Sequence, residues 1–358
     1  MKDEYIGEYR LLKPLSNQNA GYSKWGFAER NGRVYFIKEL LDPVYPLENS
    51  AHSEKTRRII QKNCHEYETQ QVRMYEVLNK ASDGNLVRVQ DFFRYGSRYY
   101  VVTDKIDTNG IDIDYLMERD ESERLQVCLS LCHTLMKLHQ AGLVHGDIKL
   151  SNILFTKTPK GLTAAKVIDI DTCFFEKSPP ENTVGDMAYC APERIRVAQG
   201  EAPNSIIGCK IDVFSLGLLI HEILVGELPG FSEDYRYAYA ACMDGQLTVS
   251  SKLSMPLRRL IGKMVMADPA ERCSTQEAFQ TLRRIFLSEP CDEEELEPIA
   301  EKKPEPKPAP STKEREPQKP YVSSSGLRMG NGLRKSTDRK AAPNPQNTNT
   351  NLRSAGDL

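Results

Sequence analysis

"HGDIKLSN", residues 145–152, gathers His145, Asp147, Lys149 and Asn152 into one short stretch, and "NIL" then runs on into an apolar strand. Each residue needs a physical reason. An Asp held on a loop can orient a hydroxyl and accept its proton. A Lys two residues on can neutralise phosphate charge in a transition state. An Asn five residues after the Asp can hold a metal ion while it hydrogen-bonds the loop. Further along, "KVIDIDTC" sets Asp169 after an apolar strand, where its carboxylate is placed to take a second share of Mg²⁺. Phosphoryl transfer needs these parts: an oriented nucleophile, metal and positive charge on the phosphates, and exclusion of water. Gly146 is the residue that this chemistry leaves unexplained.

The rest of the chain bounds the setting. It has 358 residues and a formal net charge of −2, so no global field argues for a nucleic-acid or membrane partner. The nine cysteines are scattered without a CxxC pair. Cys128 and Cys132 could share a helix face, but nothing nearby completes a metal set, and free thiols in a reducing cytosol are expected. The start, "MKDEYIGEYR", is charged and lacks the apolar core of a signal peptide. The most apolar stretch, "DVFSLGLLIHEILVG", is interrupted by His221 and Glu222 and is too short to span a bilayer. It reads as a buried helix, and a soluble cytoplasmic protein is the expectation.

Composition changes sharply near residue 290, where ten of the chain's 21 prolines and a single aromatic, Tyr321, fall in the remaining sequence. Such a segment cannot bury enough apolar surface to offset its ordering entropy, so residues 289–358 read as a disordered Pro/Lys/Glu-rich tail. Its Ser311, Thr312, Ser336 and Thr337 are accessible to phosphorylation, which makes the tail a candidate to engage a phosphopeptide-reading partner. Before it, residues 5–40 alternate apolar and polar, and Asn31-Gly32 signals a type I′ hairpin. Residues 53–80 read as one or two helical stretches. "LVRVQDFFRYGSRYYVVTDKI" gives two more strands, and beyond it Leu125, Cys128, Cys132, Leu135 and Leu138 recur at helical spacing. A small sheet lobe over 1–105 and a larger helical lobe over 106–288 invite a ligand into the cleft between them.

At this point the chain resembles the protein kinase superfamily, over roughly residues 5–287. "HGDIKLSN" matches the catalytic loop H-R-D-L-x-x-x-N. "DID", 169–171, stands where the family has Asp-Phe-Gly. "GDMAYCAPE", 185–193, matches the end of the activation segment, "DVFSLGLLIHEILVGELP" the long buried helix, and "YFIKE", 35–39, the strand of the ATP-positioning Lys. The resemblance implies an α+β, two-lobed protein kinase fold with ATP and Mg²⁺ as cofactors and a protein Ser or Thr as acceptor. It implies Asp147 as catalytic base, Lys149 at the transferring phosphate, Asn152 and Asp169 as Mg²⁺ ligands, and Lys38 on the α- and β-phosphates. It further implies that His145 supports the loop under Asp169, that Asp212 anchors the loop backbone and that Glu193 pairs with Arg272. Thr103 would guard the back of the nucleotide pocket, and Asp104 would begin the hinge.

The sequence departs from the family pattern at several points. Gly146 replaces the Arg that meets an activating phosphate, so the segment carrying Thr172, Ser178 and Thr183 need not gate Asp147. The glycine loop is degraded to Gly21 and Gly26. Phe36 stands where the family places a small Ala against adenine, and Trp25 falls where a Val caps the other face. The helix glutamate that partners the Lys has Glu66, Glu68 and Gln71 in alternative registers, with Glu68 preferred for its acid. Asp186 replaces a Thr near the catalytic Asp, which bears on peptide recognition. "HGD" with a "DxD"-like second site also resembles small-molecule phosphotransferases of the aminoglycoside and choline kinase type. Lys149, "APE" and the distant Arg272 favour a protein kinase, of a kind resembling bacterial eukaryotic-like enzymes. A pseudokinase acting as a binding module is the alternative of a different class.

Overall fold

The computed structural model describes residues 4–17, 23–181 and 185–289. Gly21, Thr183 and the tail from residue 290 onward lie outside the described residues. The first third is an antiparallel sheet of six strands: β1 (Tyr5–Ile6), β2 (Tyr9–Leu11), β3 (Ser23–Arg30), β4 (Arg33–Leu40), β5 (Val89–Tyr95) and β6 (Arg98–Asp104), in spatial order β1-β2-β3-β4-β6-β5. The β3–β4 hairpin turns on Asn31 and Gly32 with φ of 55° and 75°, the two left-handed residues that a type I′ turn requires. Its register sets Trp25 opposite Lys38 and Phe27 opposite Phe36, while β6 sets Val101 against Lys38 and Thr103 against Phe36. Side chains alternate across a strand, so these six residues share one face. The other face buries Ile6, Tyr9, Leu11, Ala28, Tyr35, Ile37, Tyr100 and Val102 as a small core of its own.

Helix α1 (Glu54–Ala81) is continuous for 28 residues, capped by Ser53, whose side chain accepts from the Thr56 N–H. It buries Cys64, Met74, Tyr75 and Leu78 against the sheet. Beyond β6 the chain is mostly helical: α2 (Ile113–Met117), α3 (Glu121–Gln140), α4 (Pro192–Ala198), α5 (Lys210–Val225), α6 (Ala238–Met243), α7 (Met255–Met264) and α8 (Thr275–Phe286). Two short ribbons interrupt it. β7 (Leu143–Val144) pairs with β10 (Phe174–Phe175), and β8 (Ile153–Lys157) pairs with β9 (Thr163–Val167).

In α5 every residue from Ile211 to Leu224 except Glu222 is buried, as expected of a helix apolar on all sides. A Cβ at its Gly217 would come within 2.8 Å of Met264, so the glycine allows α7 to approach closely. The main core runs without a break from α1 and the sheet into α3, α5, α7 and α8. The result is the sheet lobe and helical lobe that the sequence pattern implies. Cys128 and Cys132 sit fully buried in α3, where burial pushes both thiols well up, so they are packing residues. Among the described residues, no helix is long and apolar enough to cross a membrane.

Candidate active site

The cleft between sheet and helices is a cavity of about 450 Å³. Trp25, Phe36 and Thr103 line its sheet side, and Asp147, Lys149, Asn152, Asp169 and Asp171 line its helical side. The volume falls in the range of small-ligand pockets. Trp25 and Phe36 stack on each other, with centroids 5.7 Å apart and planes 23° from parallel, so the two large rings narrow the pocket without filling it. Thr103 is buried where it lines the cavity. The Asp104 carboxylate lies at the rim, accepting from Arg33 at 2.5 Å and from Gln90 at 3.1 Å.

Asp212 on α5 builds the loop that carries Asp147. It is fully buried, accepting from the His145 N–H at 2.7 Å, the Gly146 N–H at 2.9 Å and His139 Nε2 at 2.9 Å. Burial alone would disfavour its charge, but His139, His145 and the Gly146 amide together hold the carboxyl below its ordinary range. The stability this contributes is present at neutral pH and is lost as pH falls through the folded-state value. His145 is buried with its ring bridging two segments. Its Nδ1 accepts from the Asp147 N–H at 3.3 Å, and its Nε2 therefore donates to the Ile168 carbonyl at 3.2 Å. The Asp147 carboxylate accepts from Asn152 Nδ2 at 2.9 Å and from Lys149 Nζ at 2.9 Å. Asn152 also binds the Asp147 carbonyl, and its own carbonyl accepts from the Ile168 N–H, which ties the catalytic loop to the Asp169 segment. Asp169 follows in a left-handed conformation, φ 60° and ψ 69°, unusual for a non-glycine residue and typical of a strained functional position.

Gly146 has a steric explanation that the sequence alone did not suggest. Its φ is 82°, and a Cβ there would lie 2.8 Å from the Thr172 carbonyl oxygen. The Thr172 hydroxyl in turn donates to the His145 carbonyl, so the two segments clasp each other where only glycine fits. Arg194, one residue beyond Ala-Pro-Glu, donates Nη1 to the Gly146 carbonyl at 2.6 Å from a buried position. Gly146→Ala is therefore expected to destabilise the protein by about 1–3 kcal/mol, read as a lowered midpoint in chemical denaturation.

One expected pairing is corrected. Glu68 does not meet Lys38. It accepts from the Tyr99 hydroxyl at 2.7 Å and lies beside His65 and Arg94. Glu66 pairs with Lys62 on the exposed side of α1. Lys38 Nζ instead meets Asp169 at 2.8 Å and Asp171 at 2.5 Å. The phase of α1 is set by the packing of Cys64, Met74, Tyr75 and Leu78, and that phase turns both glutamates away from Lys38. Asp186 lies 3.7 Å from Lys149, and its N–H donates to Asp147 at 3.4 Å. Glu193 and Arg272 form a two-pronged ion pair at 2.7 and 2.8 Å with both side chains fully buried.

The oxygen donors of Asp147, Asn152 and Asp169 around one cavity suit a hard cation such as Mg²⁺, and Lys38 and Lys149 suit the phosphates it would accompany. A two-lobed fold with this loop defines a class, and the comparisons agree with it. Residues 49–282 match the protein kinase domain family, and the chain belongs to that family. β1 to β4, and with them Lys38, precede the matched residues. The chain is 24% identical over 282 residues to the protein kinase kin1 of Schizosaccharomyces pombe, covering 76% of this chain and 30% of kin1. It is 27% identical over 199 residues to the serine/threonine-protein kinase ppk25 of the same yeast, covering 54% and 45%. It is 28% identical over 211 residues to human serine/threonine-protein kinase PAK 4, covering 57% and 33%. The chain thus spans less than half the length of each of these relatives.

Proposed function

We propose that this protein is a serine/threonine protein kinase that transfers the γ-phosphoryl group of ATP to a protein hydroxyl. The observation that carries the reading is Asp147, held by Asn152 and Lys149 on a loop anchored by Asp212, with Lys38 and Asp169 across the same cavity. In this reading Asp147 orients the acceptor hydroxyl and takes its proton as the oxygen bonds to the γ-phosphorus and the bond to the β–γ bridging oxygen breaks. Lys149 neutralises charge on the transferring group, and Lys38 holds the α- and β-phosphates. Asn152 and Asp169 would hold Mg²⁺, which would supply positive charge to neutralise the phosphates. Relatives named as serine/threonine kinases support the acceptor class.

The test is transfer of radiolabel from ATP by the full chain, with and without Mg²⁺, to casein-type proteins and to small alcohols and amines. Label on protein Ser or Thr that requires Mg²⁺ is expected. Label on small acceptors alone would favour a small-molecule kinase, and none at all would favour a binding module. Trp25 is the chain's only tryptophan and lines the cavity, so Mg·ATP is expected to quench or shift its emission. Silent emission together with no binding by calorimetry would refute nucleotide use.

A further inference from the structure

We propose that Asp171 is the positioning residue for Lys38, so that the lysine is held by the catalytic-loop side of the cleft and not by α1. The inference rests on the kinase reading for its function, though not for its geometry. Lys38 Nζ is 2.5 Å from Asp171, shorter than its 2.8 Å to Asp169, and the lysine side chain is 14% exposed. Asp169 is the carboxylate that a metal would draw on, which leaves Asp171 as the partner that stays.

Helix α1 offers no acid to this pair. The face it turns toward Asp171 carries Tyr67 and Tyr75, and the negative charge of Asp171 helps push both phenols up, after burial. Gln71 lies one turn from each on the same face. Asp171 also stands in a tight turn, Ile170–Thr172, fastened to the catalytic loop by the Thr172 hydroxyl on the His145 carbonyl and closed by the Cys173 N–H on the Ile170 carbonyl. Its position is therefore fixed by the same clasp that demands glycine at 146. The carboxylates of Asp169 and Asp171 both meet the Lys38 ammonium directly, and Asp171 is the nearer. In such a kinase, displacement of α1 does not uncouple the lysine, and α1 is not the switch that aligns it.

The experiment reads how firmly Lys38 is held, by the rate at which an amine-acylating reagent modifies it at one fixed pH on the full chain, followed by mass spectrometry. The charged and titratable groups around it are Asp169 and Asp171, with Tyr67 and Tyr75 from α1 and Asp147 and Lys149 from the catalytic loop. Asp171→Asn removes the closer of the two carboxylates that pin the ammonium, so the side chain is released toward the reagent, and acylation is expected to accelerate on the order of tenfold. Asp171→Glu keeps the charge and is expected to stay near the native rate. Glu68→Gln is expected to leave the rate unchanged. An unchanged rate in Asp171→Asn, or an equal acceleration in Glu68→Gln, would overturn the proposal.

The second arm measures phosphoryl transfer in Asp171→Asn, Lys38→Met and the double variant. If Asp171 acts through Lys38, the double variant loses no more kcat than Lys38→Met alone. Losses that multiply, or a defect cured by raising Mg²⁺, would make Asp171 a metal ligand and end the proposal. If the native chain transfers no phosphate, the kinase reading fails while the acylation arm still decides the role of Asp171.

Discussion

Asp147→Asn is expected to lower phosphoryl transfer by about 10²–10⁴-fold while leaving Mg·ATP affinity near native, because a general base acts mainly in the transition state. Asparagine keeps the shape and can still bond Asn152 and Lys149, so the loop that Asp212 anchors is expected to remain folded. It cannot receive the hydroxyl proton. Steady-state kinetics should show kcat and kcat/KM falling together, with calorimetric nucleotide binding preserved. Near-native turnover in this variant would remove the cleft from consideration as a kinase site. The comparison variant is Asp169→Asn, which is expected to weaken Mg²⁺-dependent nucleotide binding as well.

Arg272→Met is expected to give the largest loss of stability, about 3–5 kcal/mol, measured as the shift of the chemical denaturation midpoint at constant slope. The guanidinium meets both oxygens of Glu193 and also donates to the carbonyls of Met266, Ala267 and Lys210. Its removal leaves a buried, uncompensated carboxylate and several carbonyls without their donor. Glu193→Met combined with Arg272→Met removes both charges and is expected to recover part of the loss, since an apolar replacement of similar volume removes the desolvation cost of both ions. A single variant within about 0.5 kcal/mol of native would mean that this pair contributes little to the packing of α4 against α5 and the segment before α8.

Local patterns carried most of the fold. Asn31-Gly32 specified its hairpin because few residues accept two successive left-handed positions. The α5 run read as a buried helix because a helix without a polar face has nowhere else to go. Asp147, Asn152 and Asp212 were readable because a loop that holds a base needs an anchor at a recognisable place. The partner of Lys38 was not readable, and the cause is rotational. A helix of 28 residues with acids at 66 and 68 and Gln at 71 offers several phases, and tertiary packing of Tyr67, Met74 and Tyr75 chooses among them. The role of Asp171 followed from that choice. Gly146 was half readable: the missing positive charge is visible in the sequence. The approach of the Thr172 carbonyl comes from 26 residues further along the chain and is not. Arg194 was missed because an arginine beside Ala-Pro-Glu carries no sign of which way its long side chain turns.

The stacked rings of Trp25 and Phe36 also bear on chemical selectivity. The resemblance to the kinase family places a small Ala at the strand position two before the lysine. Here a phenyl ring occupies that position, opposite Thr103, with an indole laid against it. A scaffold that is wide at this point competes with both rings for space. One that is narrow there, and presents an aromatic face to the indole, gains a contact that pockets with Ala and Val at these positions cannot provide. The same aromatic pair that narrows the site therefore gives it a shape by which a ligand could distinguish this cleft from one lined by small residues.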